Sequence, residues 1–363
     1  IRFVGMEPVA KPSYVPAPAA YLNGVIIEGA TAPGGETRAD SSGGGIYVGP
    51  GREVNISNSN IRNNSALLAG GGAYVDVGGS LWVYQTKISG NWAGSGGGGV
   101  AAIGGAIHLS ESGVVGNNAA TFGGGIAVGG EGSLYLWQTG VRNNISGGGG
   151  GIALFDGASA DLEHSFITQN SASPQNGTVG SGGGILGAYA SVNAWRTVIA
   201  KNSGRGGGGA ISGQNLNATL DFVTIADNIT PASGAAFLVE NSEISLSNSI
   251  VWANLSDTPF NFGQNSYVTI RYSDVQDPSW ASPADSVISA DPMFADAFNL
   301  VYTLMPGSPC INSGDPEYTD EDGTRADMGA FFFWQEPMWK KLVLPNVNAA
   351  PGGEVLVDIR ATH

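Results

Sequence analysis

Four carboxylates and five large aromatic residues recur at fixed distances from a repeating asparagine. They are the residues of this chain best placed to do chemistry. Counting seven residues back from each marker asparagine gives Tyr84, Glu111, Trp137, Glu163, Trp195 and Asp221; counting nine back gives Trp82, Leu109, Tyr135 and Asp161. Aromatic and acidic side chains thus alternate along one column. A carboxylate pair can cleave a glycosidic bond, one member giving a proton while the other attacks or activates water. Aromatic faces stacked on sugar rings, with acids bonding hydroxyls, can instead form a binding track. The catalytic candidates are Glu111, Asp161, Glu163 and Asp221, with His164 and Arg196 in the next column. The contact candidates, for a glycan or a partner, are Trp82, Tyr84, Tyr135, Trp137 and Trp195. The same column can also be an amphipathic face covered by a loop or a neighbouring subunit, because exposed aromatic rows mark interfaces.

Other chemistries have less to stand on. Asp315, Asp320, Asp322 and Asp327 share one acidic stretch. Asp320-x-Asp322-Gly323 is similar to part of a calcium loop but lacks the third ligand position and the distal Glu. Calcium is therefore the one cofactor the sequence suggests, against a plain solvated acidic turn. Three His and the single Cys310 argue against a zinc centre and exclude an intrachain disulfide. No Lys-Ser/Thr follows the glycine clusters, so they are not phosphate loops. The formal net charge is −15, which argues against nucleic acid and anionic membrane as partners, since both need basic patches. No apolar run approaches the ~20 residues of a membrane span. The chain opens mid-pattern at Ile1-Arg2-Phe3-Val4, as a trimmed end would, and the expected location is secreted, extracellular or cell-surface.

The elements that position these residues follow from the repeat. The pattern aliphatic-x-x-Asn ends at Asn64, Asn91, Asn118, Asn144, Asn170, Asn202, Asn228 and Asn254, at intervals of 27, 27, 26, 26, 32, 26 and 26 residues. The long interval carries the polar insertion Ser171–Gly177, a loop of the kind repeat arrays tolerate. Glycine clusters run in phase, at Gly43–Gly45, Gly70–Gly72, Gly96–Gly99, Gly123–Gly125, Gly147–Gly151, Gly182–Gly184 and Gly206–Gly209. Ten and eight residues before each asparagine the side chains are apolar, as at Leu81/Val83 and Leu134/Leu136; only His108/Ser110 breaks the rule. Period-two alternation is a strand with one buried face, and His108 is expected inward. Leucine-rich horseshoes and propellers have other consensus lengths. The pattern predicts an all-β fold, a right-handed parallel β-helix of ~26-residue coils stacked at ~4.8 Å, with handedness from the crossover rule. The asparagines should form an amide ladder at a tight turn, where Asn tolerates the left-handed conformation. Sequons at Asn144, Asn228 and Asn254 would then be unavailable, leaving Asn176 in the inserted loop as the glycosylation candidate. The glycines should act sterically, leaving backbone free for close approach.

Repeats of the form Gly-Gly-Gly-Ile … Ile-x-x-Asn resemble the polymorphic outer-membrane-protein repeats of bacterial surface proteins, within the pectate-lyase-like right-handed β-helix superfamily. The stretch Ala290-Asp291-Pro292-Met293-Phe294, Leu304–Gly314 and Asp327-Met328-Gly329-Ala330 is similar to the closing segment of large secreted bacterial β-helix proteins. The resemblance implies a helix over 1–289, a closing or cap segment over 290–334, and over 335–363 a linker with the start of an Ig-like module or a docking strand. Glu354–Arg360 is the candidate trailing strand. The superfamily's hydrolase signatures (Asn-Thr-Asp, Asp-Asp, Gly-His-Gly, Arg-Ile-Lys) are absent. The expected function is a non-catalytic extracellular structural or adhesive β-helix, able to assemble with copies of itself or other surface proteins. The alternative is a protein that binds or degrades extracellular polysaccharide, as a lyase or glycoside hydrolase.

Overall fold

Short strands separated by tight turns wind the chain into a parallel β-solenoid. The computed structural model describes residues 2–3, 19–174 and 179–335. The sequon at Asn176 and the strand expected at Glu354–Arg360 lie outside the described residues. The coil containing Ala73–Val75, Ser80–Tyr84, Lys87–Ser89 and Trp92–Ala93 is representative. Its first two strands belong to an 18-stranded sheet, the third to a 10-stranded sheet and the fourth to a 7-stranded sheet. In two coils the first pair fuses into the 11-residue strands Ile185–Trp195 and Ile211–Asp221.

Register follows from burial. In Ser80–Tyr84, Leu81 and Val83 point into the core while Trp82 and Tyr84 point out. Along the 10-stranded sheet, Ile27, Ile61, Ile88, Val114, Val141, Ile167, Ile199, Ile225, Val251 and Val275 lie one above another. All are buried, and each fully buried aliphatic contributes about 1.5–3 kcal/mol. A one-residue slip would send this whole set to solvent.

The amide ladder is present, with one member displaced. It runs through Asn64, Asn91, Asn117, Asn144, Asn170, Asn202, Asn228 and Asn254. From Asn64 to Asn228 each Nδ2 donates to the Oδ1 of the next coil at 2.9–3.1 Å. That Oδ1 also accepts the backbone N–H of the preceding asparagine. The second amide proton goes to a carbonyl one coil back, as from Asn144 to Val114. Both donors and both lone pairs of each internal side chain are used, so full burial leaves nothing unpaired.

The expected Asn118 is exposed, one residue past the ladder. With Asn117 in its place the strand inverts relative to expectation. Ile107 and Leu109 face the core, while His108 and Ser110 face out. His108 is therefore not a core residue, and Leu109 is not an outward one. Nor are the ladder asparagines left-handed. The residue before each one takes that conformation, from φ +53° at Asn63 to +65° at Gly116, and the turn it makes aims the next side chain inward.

A second ladder accompanies the first. The hydroxyls of Ser59, Thr86, Ser112, Thr139, Ser165 and Thr197 each accept a backbone N–H from one coil before, at 3.1–3.3 Å. The glycine clusters pack against the asparagine ladder, where a Cβ on Gly72 would fall 3.0 Å from Asn91 Nδ2. A Cβ on Gly71 would fall 2.3 Å from the Trp92 carbonyl oxygen, so the chain passes there only without a side chain.

The parallel pairing of coils ends at Ile288, which bridges Asp274. Phe260, Phe262 and Trp280 pack together with Phe237 at the last coil. The later segment, expected to cover that open end, turns back along the flank. It forms an antiparallel hairpin, Phe294–Asp296 with Val301–Leu304. Tyr302 and Ala330 pack on Val198, Ala200 and Ala226; Leu304, Cys310 and Met328 pack on Ile250.

Adjacent residues separate the ladder from the surface. Asn117→Ala strands the Asn91 side chain and backbone donors in a buried site, at about 1–3 kcal/mol per group. Asn118→Ala, on the exposed neighbour, should stay within ~0.5 kcal/mol. Chemical denaturation of the two variants measures the difference; equal losses would contradict the assigned register.

Candidate functional site

The outer face of the 18-stranded sheet carries the aromatic and acidic residues because alternation leaves them no place in the core. Parallel register then stacks them by coil. One column reads Ser57, Tyr84, Ser110, Trp137, Glu163, Trp195, Asp221 and Ser247. The neighbouring column reads Asn55, Trp82, His108, Tyr135, Asp161, Asn193 and Thr219 over the same coils. The expected alternation of aromatic and acidic residues is broken at Ser110, which stands where Glu111 was expected. Glu111 lies one position on, at the corner, with φ +47°. Gln85, Gln138, His164 and Arg196 take the same left-handed position in their coils.

The side chains on this face are linked across coils. Trp82 and His108 stack with ring centroids 3.7 Å apart and planes within 6°. Burial pulls the His108 pKa below its ordinary value, so the ring is neutral at pH 7. Tyr135 donates to Glu163 Oε2 at 3.3 Å. Desolvation, then the Glu163 charge, holds the Tyr135 phenol above its usual pKa. Asn193 donates to Asp161 at 2.8 Å, and Gln85 to Glu111 at 2.8 Å. Asp221 accepts from Ser247 at 3.0 Å and Asn248 at 2.8 Å. All four candidate acids thus have a protein partner. Trp82, Tyr84 and Trp195 are exposed, while Tyr135 and Trp137 are half-buried. An open cleft of about 500 Å³ runs along Tyr21, Asn55, Trp82, Tyr84 and His108.

At the Trp195 end the later segment packs against the corner beside the track. Arg196 lies 5.1 Å from the Trp195 ring and 5.0 Å from that of Phe222, and pairs with Asp320 at 3.4 Å. Tyr318 meets Phe222 edge-on. His164 packs edge-on against Trp195, and burial, then the Arg196 charge, lowers its pKa.

A solved pectate lyase, Pel9A, is similar to this chain. The match has a TM-score of 0.34 and 15% identity, and covers 85% of this chain and 96% of that one. No protein-family profile and no curated protein matches the chain. The solenoid itself stands on the strand register given above.

The acidic stretch does different work from the track. Asp327 accepts the backbone N–H groups of Asn312 and Phe333, both at 2.6 Å. Asp320 accepts the N–H of Asp327, Asp322 that of Thr324, and Asp315 that of Glu317. Among the described residues no three His, Cys, Asp or Glu side chains converge as metal ligands, and no helix is long and apolar enough to cross a membrane. Sequence reasoning passed over a related group, Asp274. It sits fully buried in the last strand of the 10-stranded sheet, and Cys310 Sγ donates to it at 3.3 Å. Burial pushes its pKa up to about 6, and that of Asp327 likewise to about 6.

Raised carboxylates favour the protonated fold. Their stabilising contribution is complete below the unfolded pKa of ~3.9 and is lost as pH rises through about 6. At ~1.4 kcal/mol per pKa unit, Asp274 accounts for on the order of 2–3 kcal/mol between pH 4 and pH 7. The stability of Asp274→Asn relative to the parent should therefore rise over that interval. Thermal unfolding of both proteins at several pH values checks this; a constant difference between them would refute it.

Proposed function

We propose that this chain is a non-catalytic, extracellular adhesive protein that binds polysaccharide along the outer face of its largest sheet. One observation carries the reading: exposed or half-buried aromatic residues recur in register at Tyr84, Trp137 and Trp195, beside Trp82 and Tyr135, on the outer face of the 18-stranded sheet. An amphipathic ring gives large contact area at small entropic cost, and interspersed carboxylates can accept hydrogen bonds from hydroxyls. A place outside the cell belongs to the same proposal, and the net charge of −15 is compatible with it.

The acids favour binding over cleavage. Carboxylate pairs that hydrolyse glycosides flank the scissile bond, one of them kept protonated. Here Glu163 is engaged by Tyr135, Asp161 by Asn193 and Glu111 by Gln85, on an open sheet face.

Retention on immobilised polysaccharides, read together with release of reducing ends or unsaturated products, tests both halves. The parent should be retained without releasing product, and Trp82→Ala and Trp137→Ala should elute earlier. Product formation that stops in Glu163→Gln would overturn the non-catalytic reading.

A further inference from the structure

The spacing and charge of the track specify more than a sugar. Tyr84, Trp137 and Trp195 occupy every second coil of one column, with Ser110 and Glu163 between them. At ~4.8 Å per coil, successive aromatic residues stand ~9.6 Å apart along the solenoid axis. Two extended 1,4-linked pyranose units cover about this distance. In a β-1,4 chain neighbouring rings are turned over, so every second sugar presents the same face to a surface beneath it. A coiled α-linked chain has no such straight repeat.

Charge narrows the class further. From the Trp82 coil to the Trp195 coil the outward and corner positions of the 18-stranded sheet hold Glu111, Asp161 and Glu163 and one cation, Arg196, which Asp320 pairs; Lys87 and Arg142 stand just past the corner, beside Gln85 and Glu111. A polyanion lying here would meet like charge along most of its length. Ser110, Gln138 and Asn193, with the three acids, are suited to hydroxyl groups.

We propose that the ligand is an uncharged, extended β-1,4-linked polysaccharide lying along the solenoid axis, with alternate sugars against Tyr84, Trp137 and Trp195. This rests on the glycan-binding reading above. Three aromatic positions two sugars apart need five sugars to engage, and beyond Trp195 the column carries only the non-aromatic Asp221 and Ser247.

Calorimetric titration of the full chain with cello-, manno- and xylo-oligosaccharides tests the assignment, with maltohexaose and a galacturonic acid hexamer as comparators. At least one β-1,4 series should bind with little salt dependence, gain affinity up to the pentasaccharide and level off by the hexasaccharide. Trp137→Ala should weaken it about tenfold, ~1.4 kcal/mol, and Trp137→Phe should restore most of the loss. Stronger, salt-sensitive binding of the galacturonic acid hexamer, or equal binding of maltohexaose, would overturn the assigned class while leaving a glycan-binding face. An unchanged affinity in Trp137→Ala would overturn the assigned contacts. Failure to bind any glycan across a broad array would sink this inference and the underlying reading together.

Discussion

Everything in this molecule depends on the pairing of each coil with the next in strict register. A parallel sheet buried on its inner face leaves two problems at every corner: backbone donors that have lost their strand partner, and side chains too close for bulk. The asparagine ladder answers the first. One amide per coil takes two donors from the coil before it and sends its own protons in both directions, so the polar corner propagates without a gap. An unpaired buried group costs more than a typical hydrogen bond returns, which makes the column self-enforcing. A residue unable to do both jobs strands partners in the adjacent coils.

The hydroxyl ladder and the glycine corner extend the same logic. Ser or Thr at the second corner needs only to accept one N–H, and its own proton returns to a nearby carbonyl, as from Ser112 to Ser110. That lighter duty tolerates interruption: Val223 occupies the position in one coil and is buried. Glycine is less replaceable, since at Gly71 the obstacle is neighbouring backbone. With stability vested in inward columns and corners, the outward columns are free to vary, and their side chains are held at one-coil spacing without further effort.

Much of this was legible before any coordinates. The 26-residue interval, the alternation in Ser80–Tyr84 and the clustered glycines fix the solenoid and name most of its outward residues. The slip at Asn118 shows where one pattern runs out. Val114-Val115 and Asn117-Asn118 satisfy aliphatic-x-x-Asn in either of two registers. Two signals resolve the doublet: only Asn117 makes the strand Ile107/Leu109 apolar inside, and only Asn117 has a hydroxyl residue, Ser112, five positions earlier, as Thr86 stands before Asn91. The left-handed turn was placed one residue late because Asn63 and Asn143 share the preference but Lys201 and Ala253 adopt it from tertiary constraint alone. Asp274 had no signal, since a lone acid in a strand gains meaning only from Cys310, 36 residues distant.

The closing segment decides which outward face stays available. It spends its apolar residues on the later strands of the 10-stranded sheet, where Val198, Ala200, Ala226 and Ile250 would otherwise meet water. Beside the 18-stranded sheet it meets the corner residues Arg196, Phe222 and Asn248 and borders the last strands at Ser245 and Ser247. The two sheets differ accordingly in what they leave outside. The later strands of one offer aliphatic residues that the segment covers. The other offers tryptophan, tyrosine and histidine, whose polar atoms and rings tolerate water yet gain from a flat partner. The later segment thus covers aliphatic residues of the 10-stranded sheet and leaves Trp82, Tyr84 and Trp195 exposed.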